Sequence, residues 1–298
     1  MAKSYLNKLE EESINILRES YVRFPQAAIL FSGGKDSITV THLAIKAFAP
    51  FPLPFPLLHI DTGHNFPEVI AFRDKLVKKH NLNLHVAYVE DSIKKGTAQE
   101  SKGVNTNRNQ IQSITLLESI EKLQLQAAIG GARRDEEKAR AKEKIFSRRN
   151  LKGQWEPYEQ EIECWNNFNT LNSKMYHYRI FPLSNWTELD IWHYIQRENI
   201  ELPSLYFAHQ RKVVFRNGSF LANSPFIQLV NGERWIEKTI RFRTLGDITI
   251  TGGIESEAKS ITDIIKEIQI LPISERGKRA DDKISNTAME DRKKQGYF

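Results

Sequence analysis

The sequence is poor in cysteine and has no long apolar run. Its 298 residues include one cysteine, Cys164, which excludes a disulfide framework or a Cys-x-x-Cys metal or redox site within one chain. No apolar run is long enough to span a bilayer, and the N-terminal stretch lacks the continuous apolar core of a secretory signal. We therefore expect a cytoplasmic protein with no membrane partner.

Two common nucleotide-binding loops are also absent. The chain has no Gly-x-Gly-x-x-Gly, and its Gly34-Lys35 pair is followed by aspartate where a Walker A loop has serine or threonine. The net charge of +6 favours anionic ligands. Because no aromatic-rich basic motif of the RNA-recognition type accompanies that charge, we expect no nucleic-acid partner.

The chain alternates between short apolar segments and amphipathic ones. Apolar runs predict strands at 27–31, 56–60, 82–89 and 125–130. Apolar periodicity predicts helices over 4–24, after the glycines at 33–34, near 67–80 and over 112–123. Strands that alternate with helices predict an α/β fold with a parallel sheet covered by helices on both faces. Further along, Thr187 with Asp190 three residues later predicts a capped helix start.

The stretch SGGKDS, Ser32 to Ser37, follows the first strand and begins the next helix. Gly33 and Gly34 allow a tight turn and a close approach of the backbone to a phosphate, because they have no Cβ. The two serines can donate hydroxyl hydrogen bonds, Lys35 adds a positive charge, and the helix N-terminus favours anions. Asp36 can cap the helix or bind a metal ion. The pattern favours a phosphate-binding loop over a plain strand–turn–helix connection.

Polar residues also follow other predicted strands. Asp61 comes after the second strand, where it can contact a ribose hydroxyl or a magnesium ion, or cap a local turn. Gly131, Arg133 and Arg134 come after the fourth strand. Two arginines beside a helix start suit a tetrahedral dianion, because guanidinium groups pair with oxygens in a plane.

Two further charged pairs have less specific patterns. Glu136 and Arg140 have the i,i+4 spacing of an ordinary pair on a solvent-exposed helix face. Arg241 and Arg243 alternate along a predicted strand, so that both would point to the same side. There they either bind a phosphate or form surface salt bridges.

SGGKDS after a strand resembles the PP-loop of the ATP pyrophosphatase superfamily, which has an adenine nucleotide α-hydrolase-like fold. The resemblance implies cleavage of ATP between its α- and β-phosphates, transfer of the adenylyl group to an acceptor, and release of pyrophosphate. It also implies that Ser32 to Ser37 bind the pyrophosphate. The motif alone does not identify the acceptor.

Longer segments of the sequence resemble one particular family within this superfamily. A strong resemblance to the small, catalytic subunit of bacterial sulfate adenylyltransferases is carried by segments 54–68, 130–147, 181–195, 241–256, 273–283 and 293–298. It covers nearly the whole chain in order. Segments 94–110 and 152–178 match less well, and the family usually has isoleucine where this chain has Gly33.

This resemblance implies the reaction of ATP with sulfate to give adenylyl sulfate and pyrophosphate, the first step of sulfate assimilation. Equilibrium favours ATP and sulfate, so a separate large GTPase subunit would drive synthesis with GTP. Magnesium would accompany ATP, with Asp36 as a candidate ligand. Lys35, Arg133 and Arg134 would act on the reacting groups. The residues implied to contact ATP or pyrophosphate, besides the SGGKDS loop, are Asp61, Gly131, Arg241 and Arg243.

The same resemblance suggests how the chain is divided. We expect a nucleotide-binding α/β domain over 1–200, with an irregular excursion at 150–178. Residues 201–298 are expected to form a C-terminal extension that ends in a basic tail. That extension would pack on the first domain and on the large subunit.

Three other functions stay open. A reductase of adenylyl sulfate, or of its 3′-phosphorylated form, shares the fold but needs a catalytic cysteine near the C-terminus, where this chain has KKQGYF. A PP-loop enzyme that modifies tRNA would use cysteines for sulfur transfer or carry an RNA-binding domain. A non-enzymatic nucleotide-binding regulator would not need both Lys35 and Asp36.

Overall fold

The computed structural model describes residues 2–100, 108–109, 111–136, 138–150, 152–164, 167–168 and 176–270. The charged tail expected from residue 272 onwards lies outside these residues. Of the excursion at 150–178, the structure describes a 3-10 turn at Pro157–Glu159 and a short hairpin. The strands of that hairpin are β6 (Glu163–Cys164) and β7 (Asn167–Phe168).

A six-stranded sheet forms the centre of the molecule. Its strands, in chain order, are β1 (Ala27–Leu30), β2 (Leu57–Asp61), β3 (Leu84–Tyr88), β4 (Ala127–Ile129), β5 (Phe146–Arg149) and β8 (His177–Ile180). Their order across the sheet is β3-β2-β1-β4-β8-β5. All neighbours pair in parallel except β5, which is antiparallel to β8 at the edge. The predicted parallel sheet is therefore confirmed.

Helices cover both faces of this sheet, as predicted. They are α1 (Ala2–Arg23), α2 (Lys35–Phe48), α3 (Pro67–His80), α4 (Val89–Lys95), α5 (Gln112–Lys122), α6 (Lys138–Ala141), α7 (Glu188–Glu198) and α8 (Ile261–Ile270). On one face, α2 packs against α1 and α7, and α7 packs against α8. On the other face, Leu116 and Ile120 of α5 pack on Ala28 and Leu58. Apolar side chains thus fill both interfaces between sheet and helices.

Helix α7 shows how local sequence fixes one of these elements. The Thr187 hydroxyl accepts a hydrogen bond from the Asp190 backbone N–H, and the Asp190 carboxylate accepts from the Thr187 N–H. This capping box satisfies two backbone donors that the first turn of a helix leaves without partners. The predicted helix start is confirmed.

The C-terminal part contains a closed four-stranded barrel that the sequence pattern did not predict. Its strands are β9 (His209–Arg216), β10 (Ser219–Ala222), β11 (Ile236–Phe242) and β12 (Gly252–Glu255), in the order β10-β12-β11-β9. Buried residues of the barrel, among them Val213 and Phe242, join the hydrophobic cluster that also contains Leu17 of α1. The C-terminal part therefore packs on the α/β part. The boundary at residue 200 stays a prediction.

Across the described residues, none of the helices combines the length and the apolar character needed to cross a membrane.

Candidate active site

A cavity of about 260 Å³ opens at the carboxyl ends of β1, β2 and β4. In open α/β sheets this edge is where ligands bind. Three parts of the chain line it: the loops after the strands, the start of α5, and two segments of the C-terminal part. The lining includes Leu30, Ser32, Gly34 to Ser37, Leu58, Ile60, Gln112, Leu116, Gly130 to Ala132, Glu136, Arg140, Tyr206 and Thr244 to Asp247.

The SGGKDS loop makes a tight turn between β1 and α2. Gly33 has a φ of 75°, in the left-handed region that side chains disfavour. A Cβ at this position would lie 2.4 Å from Cγ1 of Val69. The Gly34 N–H donates to the Ser32 hydroxyl at 3.3 Å, and the Ser37 hydroxyl donates to the Gly34 carbonyl at 2.9 Å. The loop thus depends on a glycine at position 33.

The N-terminus of α2 faces the cavity. The first N–H groups of a helix have no acceptor within the helix and carry a partial positive charge, which makes the terminus an anion site. Here the Lys35 N–H donates to the Tyr206 hydroxyl at 2.6 Å. Tyr206 is buried and packs edge-to-face on Trp192, with ring centroids 5.6 Å apart. A side chain from the C-terminal part therefore holds the start of α2.

Three charged groups are packed together beside this helix start. The Lys35 ammonium lies 2.9 Å from Oδ2 of Asp36, and Nη1 of Arg133 donates to Oδ1 of the same carboxylate. Lys35 and Arg133 are each only 1% exposed. Two buried cations thus flank one carboxylate at the start of α2, where the low local dielectric strengthens their attraction for negative charge.

Gly131 explains how the loop after β4 approaches the same helix. A Cβ on Gly131 would lie 2.9 Å from both the carbonyl carbon and the Cβ of Asp36, and 3.1 Å from the Ser37 nitrogen. Only glycine fits this contact without a backbone shift. The predicted residue Gly131 therefore brings the 130–136 segment against the SGGKDS loop.

The loop after β2 is tied to the segment from Thr244 to Asp247. The Thr62 hydroxyl donates to the Asp247 carboxylate at 2.6 Å, and the Ile248 N–H donates to the His64 carbonyl at 2.8 Å. Asp61 is the local cap of its turn, because its carboxylate accepts from the Gly63 N–H at 2.8 Å. These bonds close the cavity on the side of β2.

His59 lies in the cavity wall as a neutral side chain. Burial lowers the pKa of His59, and its Nδ1 lies 2.8 Å from the Phe31 carbonyl oxygen. A carbonyl can only accept, so Nδ1 carries the hydrogen and donates it. His59 therefore adds no positive charge to the cavity at neutral pH.

Proteins of known name match this chain over nearly its whole length. Sulfate adenylyltransferase subunit 2 from Mycolicibacterium vanbaalenii is 53% identical over 296 residues, which cover 99% of this chain and 95% of that protein. The protein of the same name from Mycobacterium tuberculosis is also 53% identical, with the same coverage. Residues 26–253 match the family model of the phosphoadenosine phosphosulfate reductase domain.

The chain belongs to the sulfate adenylyltransferase subunit 2 family. The predicted family, and with it a nucleotidyltransferase enzyme, is confirmed.

Two solved structures are similar to this chain at lower sequence identity. FMN adenylyltransferase from Candida glabrata in complex with ATP has a TM-score of 0.49 at 13% identity, covering 94% of this chain and 89% of that one. Phosphoadenylyl-sulfate reductase from Candida auris has a TM-score of 0.44 at 17% identity, covering 69% and 91%. Likenesses of this size carry no information on the substrate.

Within this member of the sulfate adenylyltransferase subunit 2 family, the predicted residues occupy three positions relative to the cavity. The residues that line it are Ser32, Gly34, Lys35, Asp36, Ser37 and Gly131. Gly33 shapes the loop from behind, and Arg133 contacts Asp36 from outside the lining. Asp61 lies at its edge, next to the lining residue Ile60. The roles assigned to all of these residues stay predictions.

Three arginines that were predicted to belong to the site have partners outside the cavity. Arg134 donates to the Asn185 side chain, in the loop before α7. Arg241 of β11 contacts Glu267 of α8 at 2.6 Å. Arg243 contacts Glu188 of α7 with two guanidinium nitrogens. The partners of Arg241 and Arg243 are thus carboxylates of two helices, which is the salt-bridge alternative, and neither arginine lines the cavity.

The sequence patterns did not predict two groups of residues that line the cavity. Tyr206 and the segment Thr244–Asp247 reach the site only through the folding of the C-terminal part.

The prediction that Glu136 and Arg140 form a solvent-exposed surface pair is wrong. The two side chains do lie at ion-pair distance, 3.6 Å, but both line the cavity, and Arg140 is only 6% exposed. The spacing is right for a pair on one helix face, yet it does not say whether that face meets water.

Magnesium binding at Asp36 is not favoured by its neighbours. Both carboxylate oxygens of Asp36 contact cations, Arg133 on one side and Lys35 on the other. A directly bound magnesium ion would have to displace these cations. Among the described residues, no cluster of three or more His, Cys, Asp or Glu side chains could hold a metal ion. Asp36 as a ligand stays a prediction.

Proposed function

We propose that this chain transfers the adenylyl group of ATP to sulfate, giving adenylyl sulfate and pyrophosphate. The observation that carries the proposal is the cavity lined by the SGGKDS loop at the N-terminus of α2. It occurs in a chain that is 53% identical to proteins named sulfate adenylyltransferase subunit 2. The geometry supports a phosphate site, and the name of the relatives supports sulfate as the acceptor.

The loop end of the cavity suits the pyrophosphate part of ATP. The Lys35 ammonium and the backbone N–H groups that follow Lys35 at the start of α2 can donate toward phosphate oxygens. Arg133 holds Asp36, and Asp36 in turn holds the Lys35 ammonium. This arrangement fixes the direction of the Lys35 side chain before ATP binds, so that little reorganisation is needed.

The opposite end of the cavity suits the adenine base. Leu30, Leu58, Ile60 and Leu116 form an apolar wall, with Gln112 as a polar neighbour. A flat aromatic base is stabilised against such a wall, and a few polar groups then fix its orientation. ATP placed in this way has its α-phosphate between the apolar wall and the loop, beside the Gly130–Ala132 segment.

The chemistry requires no base. A sulfate oxygen attacks the α-phosphorus, the bond from that phosphorus to the oxygen bridging toward the β-phosphate breaks, and pyrophosphate leaves with the electron pair. Sulfate is already ionised, so no proton has to be removed. The chain therefore contributes position and charge neutralisation, with Lys35 stabilising the charge that develops on pyrophosphate. Magnesium carried by ATP would neutralise further phosphate charge.

The energetics call for a second subunit. The phosphate–sulfate anhydride is high in energy, so the equilibrium favours ATP and sulfate. We propose that a separate large GTPase subunit couples GTP hydrolysis to synthesis, since no Walker A loop occurs in this chain. The relatives' name, subunit 2, supports the existence of a partner.

Synthesis by the chain with and without its partner tests the proposal. The chain is incubated with ATP, magnesium and radiolabelled sulfate, and adenylyl sulfate is quantified. The chain alone should form little product, and the large subunit with GTP should raise the amount sharply. A non-hydrolysable GTP analogue should not shift the final product ratio, because no free energy enters. If the chain alone reaches the same ratio as the mixture, the coupled-subunit proposal is wrong.

Two controls address the rival functions. Cys164→Ser should keep full adenylyl transfer, because the proposed reaction uses no thiol. A loss of about a thousandfold in a stable variant would instead favour the reductase. Adding tRNA should change nothing, whereas tRNA-dependent ATP consumption would favour an RNA-modifying enzyme.

A further inference from the structure

Arg140 is the unexplained cation of the cavity. Within the described residues, the cavity lining contains two cationic side chains, Lys35 and Arg140. The proposed reaction gives Lys35 a role and leaves Arg140 without one. Arg140 is 6% exposed, and its buried Nε has no hydrogen-bond partner among the described residues. Burying a guanidinium N–H in this way costs free energy unless a ligand completes its bonding.

The neighbouring acid does not saturate Arg140. Glu136 lies four residues before Arg140 in the chain, and its Oε2 is 3.6 Å from Nε of Arg140. At that distance the two groups attract each other, but they form no hydrogen bond. Glu136 therefore holds the guanidinium group in the cavity wall, while donors remain for a second anion.

The arginines expected to bind the acceptor are engaged elsewhere. Arg133 is bonded to Asp36, and Arg134 to Asn185. Neither belongs to the cavity lining. Of the arginines between 133 and 140, the one that lines the cavity is therefore Arg140.

More positive charge lies behind Arg140. Arg149 of β5 is paired with Glu143, and Arg179 of β8 is buried beside Arg149. Burial and then the charge of Arg149 lower the pKa of Arg179 to about 9. Burial lowers the pKa of Arg149, and the charge of its partner Glu143 opposes that shift. Glu143, whose backbone N–H donates to the Arg140 carbonyl, connects Arg140 to these two buried arginines.

Arg140 also follows the segment that contacts the SGGKDS loop. The contact of Gly131 with Asp36 and Ser37 brings the segment leading to Arg140 against the SGGKDS loop. An acceptor must lie beside the α-phosphate, while the loop binds the leaving pyrophosphate. Two separate cations on the cavity wall match these two separate anions.

We propose that Arg140 binds the acceptor sulfate, with Glu136 as the residue that positions it. The ligand class is a tetrahedral oxyanion with two negative charges, which a planar guanidinium group can contact with two parallel hydrogen bonds. This inference rests on the proposed function, because that function supplies the acceptor.

Two readouts on three variants test the inference. Initial rates of pyrophosphate release, with the partner subunit and GTP present, give separate KM values for sulfate and ATP. Calorimetry with sulfate gives its Kd in the presence of a non-reacting ATP analogue that has a methylene group between the α- and β-phosphates. The variants are Arg140→Gln, Arg140→Lys and, as a control, Lys142→Gln, which removes the same charge from an exposed position two residues away.

Arg140→Gln should raise the sulfate KM and Kd roughly 10- to 100-fold, the effect of losing hydrogen bonds from a charged group. The ATP KM should stay within about twofold of wild type. Arg140→Lys should lie between, because lysine keeps the charge and loses the planar pair of donors. Lys142→Gln should behave like wild type.

The outcomes separate this inference from the proposed function. If wild type forms no adenylyl sulfate, the proposed function fails. If wild type is active and both Arg140 variants keep its sulfate KM and Kd, Arg140 does not bind the acceptor. An ATP KM that rises as much as the sulfate KM also overturns the inference. If Arg140→Gln does not fold, Arg140→Lys decides alone, since it keeps the attraction to Glu136.

Discussion

The two sides of the cavity differ in how the chain builds them. On one side, six consecutive residues from Ser32 to Ser37 supply glycines, hydroxyls and a cation. On the other side, Tyr206 and the segment Thr244–Asp247 come from the C-terminal part and reach the site by long-range packing. Their link is the bond from the Lys35 N–H to the Tyr206 hydroxyl, between residues 171 positions apart.

The comparison suggests that the two sides of the cavity have different roles. In the proposed function, the loop side supplies the positive charge that binds phosphate, and Tyr206 of the C-terminal side holds the start of α2. Changes on the loop side should therefore reduce turnover most. Changes on the C-terminal side should act through the geometry of α2 and have smaller effects.

Lys35→Ala should have the largest effect. Removing a preorganised cation from the leaving pyrophosphate should lower kcat roughly 100- to 1,000-fold, as the loss of an oxyanion donor does. The measurement is the rate of adenylyl sulfate formation with the partner and GTP present. Lys46→Ala, at the other end of α2, is the matched control and should keep wild-type turnover. A folded Lys35→Ala variant with wild-type kcat would show that the loop does not bind the leaving group.

Gly33→Ala should come next. The left-handed backbone costs an L side chain about 1–2 kcal/mol, and the contact of a Cβ with Val69 adds about 1–3 kcal/mol of overpacking. We expect this loss in the free energy of unfolding, measured with urea, together with weaker ATP binding.

Gly96→Ala separates the two causes in Gly33→Ala. Gly96 has a φ of 78°, and among the described residues no heavy atom beyond its chain neighbours lies within 4 Å of the place that a Cβ would occupy. We therefore expect alanine there to add only the backbone strain. Equal losses in the two variants would contradict the close contact with Val69.

Tyr206→Phe tests the C-terminal side of the comparison. The substitution leaves the buried Lys35 N–H without its acceptor, which should cost about 1.5–2 kcal/mol. Because this N–H belongs to the anion-binding end of α2, the ATP KM should rise roughly tenfold. Tyr194→Phe is the matched control, since its hydroxyl contacts Glu10 away from the cavity. An unchanged ATP KM in Tyr206→Phe would mean that the C-terminal side does not hold the loop.

We expect the smallest effect at His177 on β8, which lines neither side of the cavity and changes the pH dependence of stability. Burial, with Arg179 and Arg149 nearby, lowers the pKa of His177 from 6.5 to about 2. As the pH falls below 6.5, the unfolded state binds a proton that the folded state does not, so stability is lost. Between pH 7.5 and 5.5 this loss is about 1.4 kcal/mol. His177→Gln should remove that part of the pH dependence in urea unfolding, and an unchanged pH dependence would contradict the neutral buried imidazole.

The features that could be predicted from the sequence are those whose structure depends on residues close together in the chain. The strands, the SGGKDS loop and the capping box of α7 each depend on contiguous residues, and all are found where the pattern placed them. The C-terminal barrel was missed because its closure depends on pairing between distant strands. Arg140 was misplaced because i,i+4 spacing identifies a helix face but not what covers it.

Isotopic labelling of sulfate tests the central claim most directly. The chain, its partner and GTP are incubated with ATP and fully ¹⁸O-labelled sulfate, and the mass of the adenylyl sulfate is measured by mass spectrometry. Attack of a sulfate oxygen on the α-phosphorus keeps every labelled oxygen in the product, including the bridge to phosphorus. The account predicts fully labelled adenylyl sulfate and an equal amount of pyrophosphate. A product that has lost one labelled oxygen, or ATP consumption without adenylyl sulfate, would contradict adenylyl transfer to sulfate.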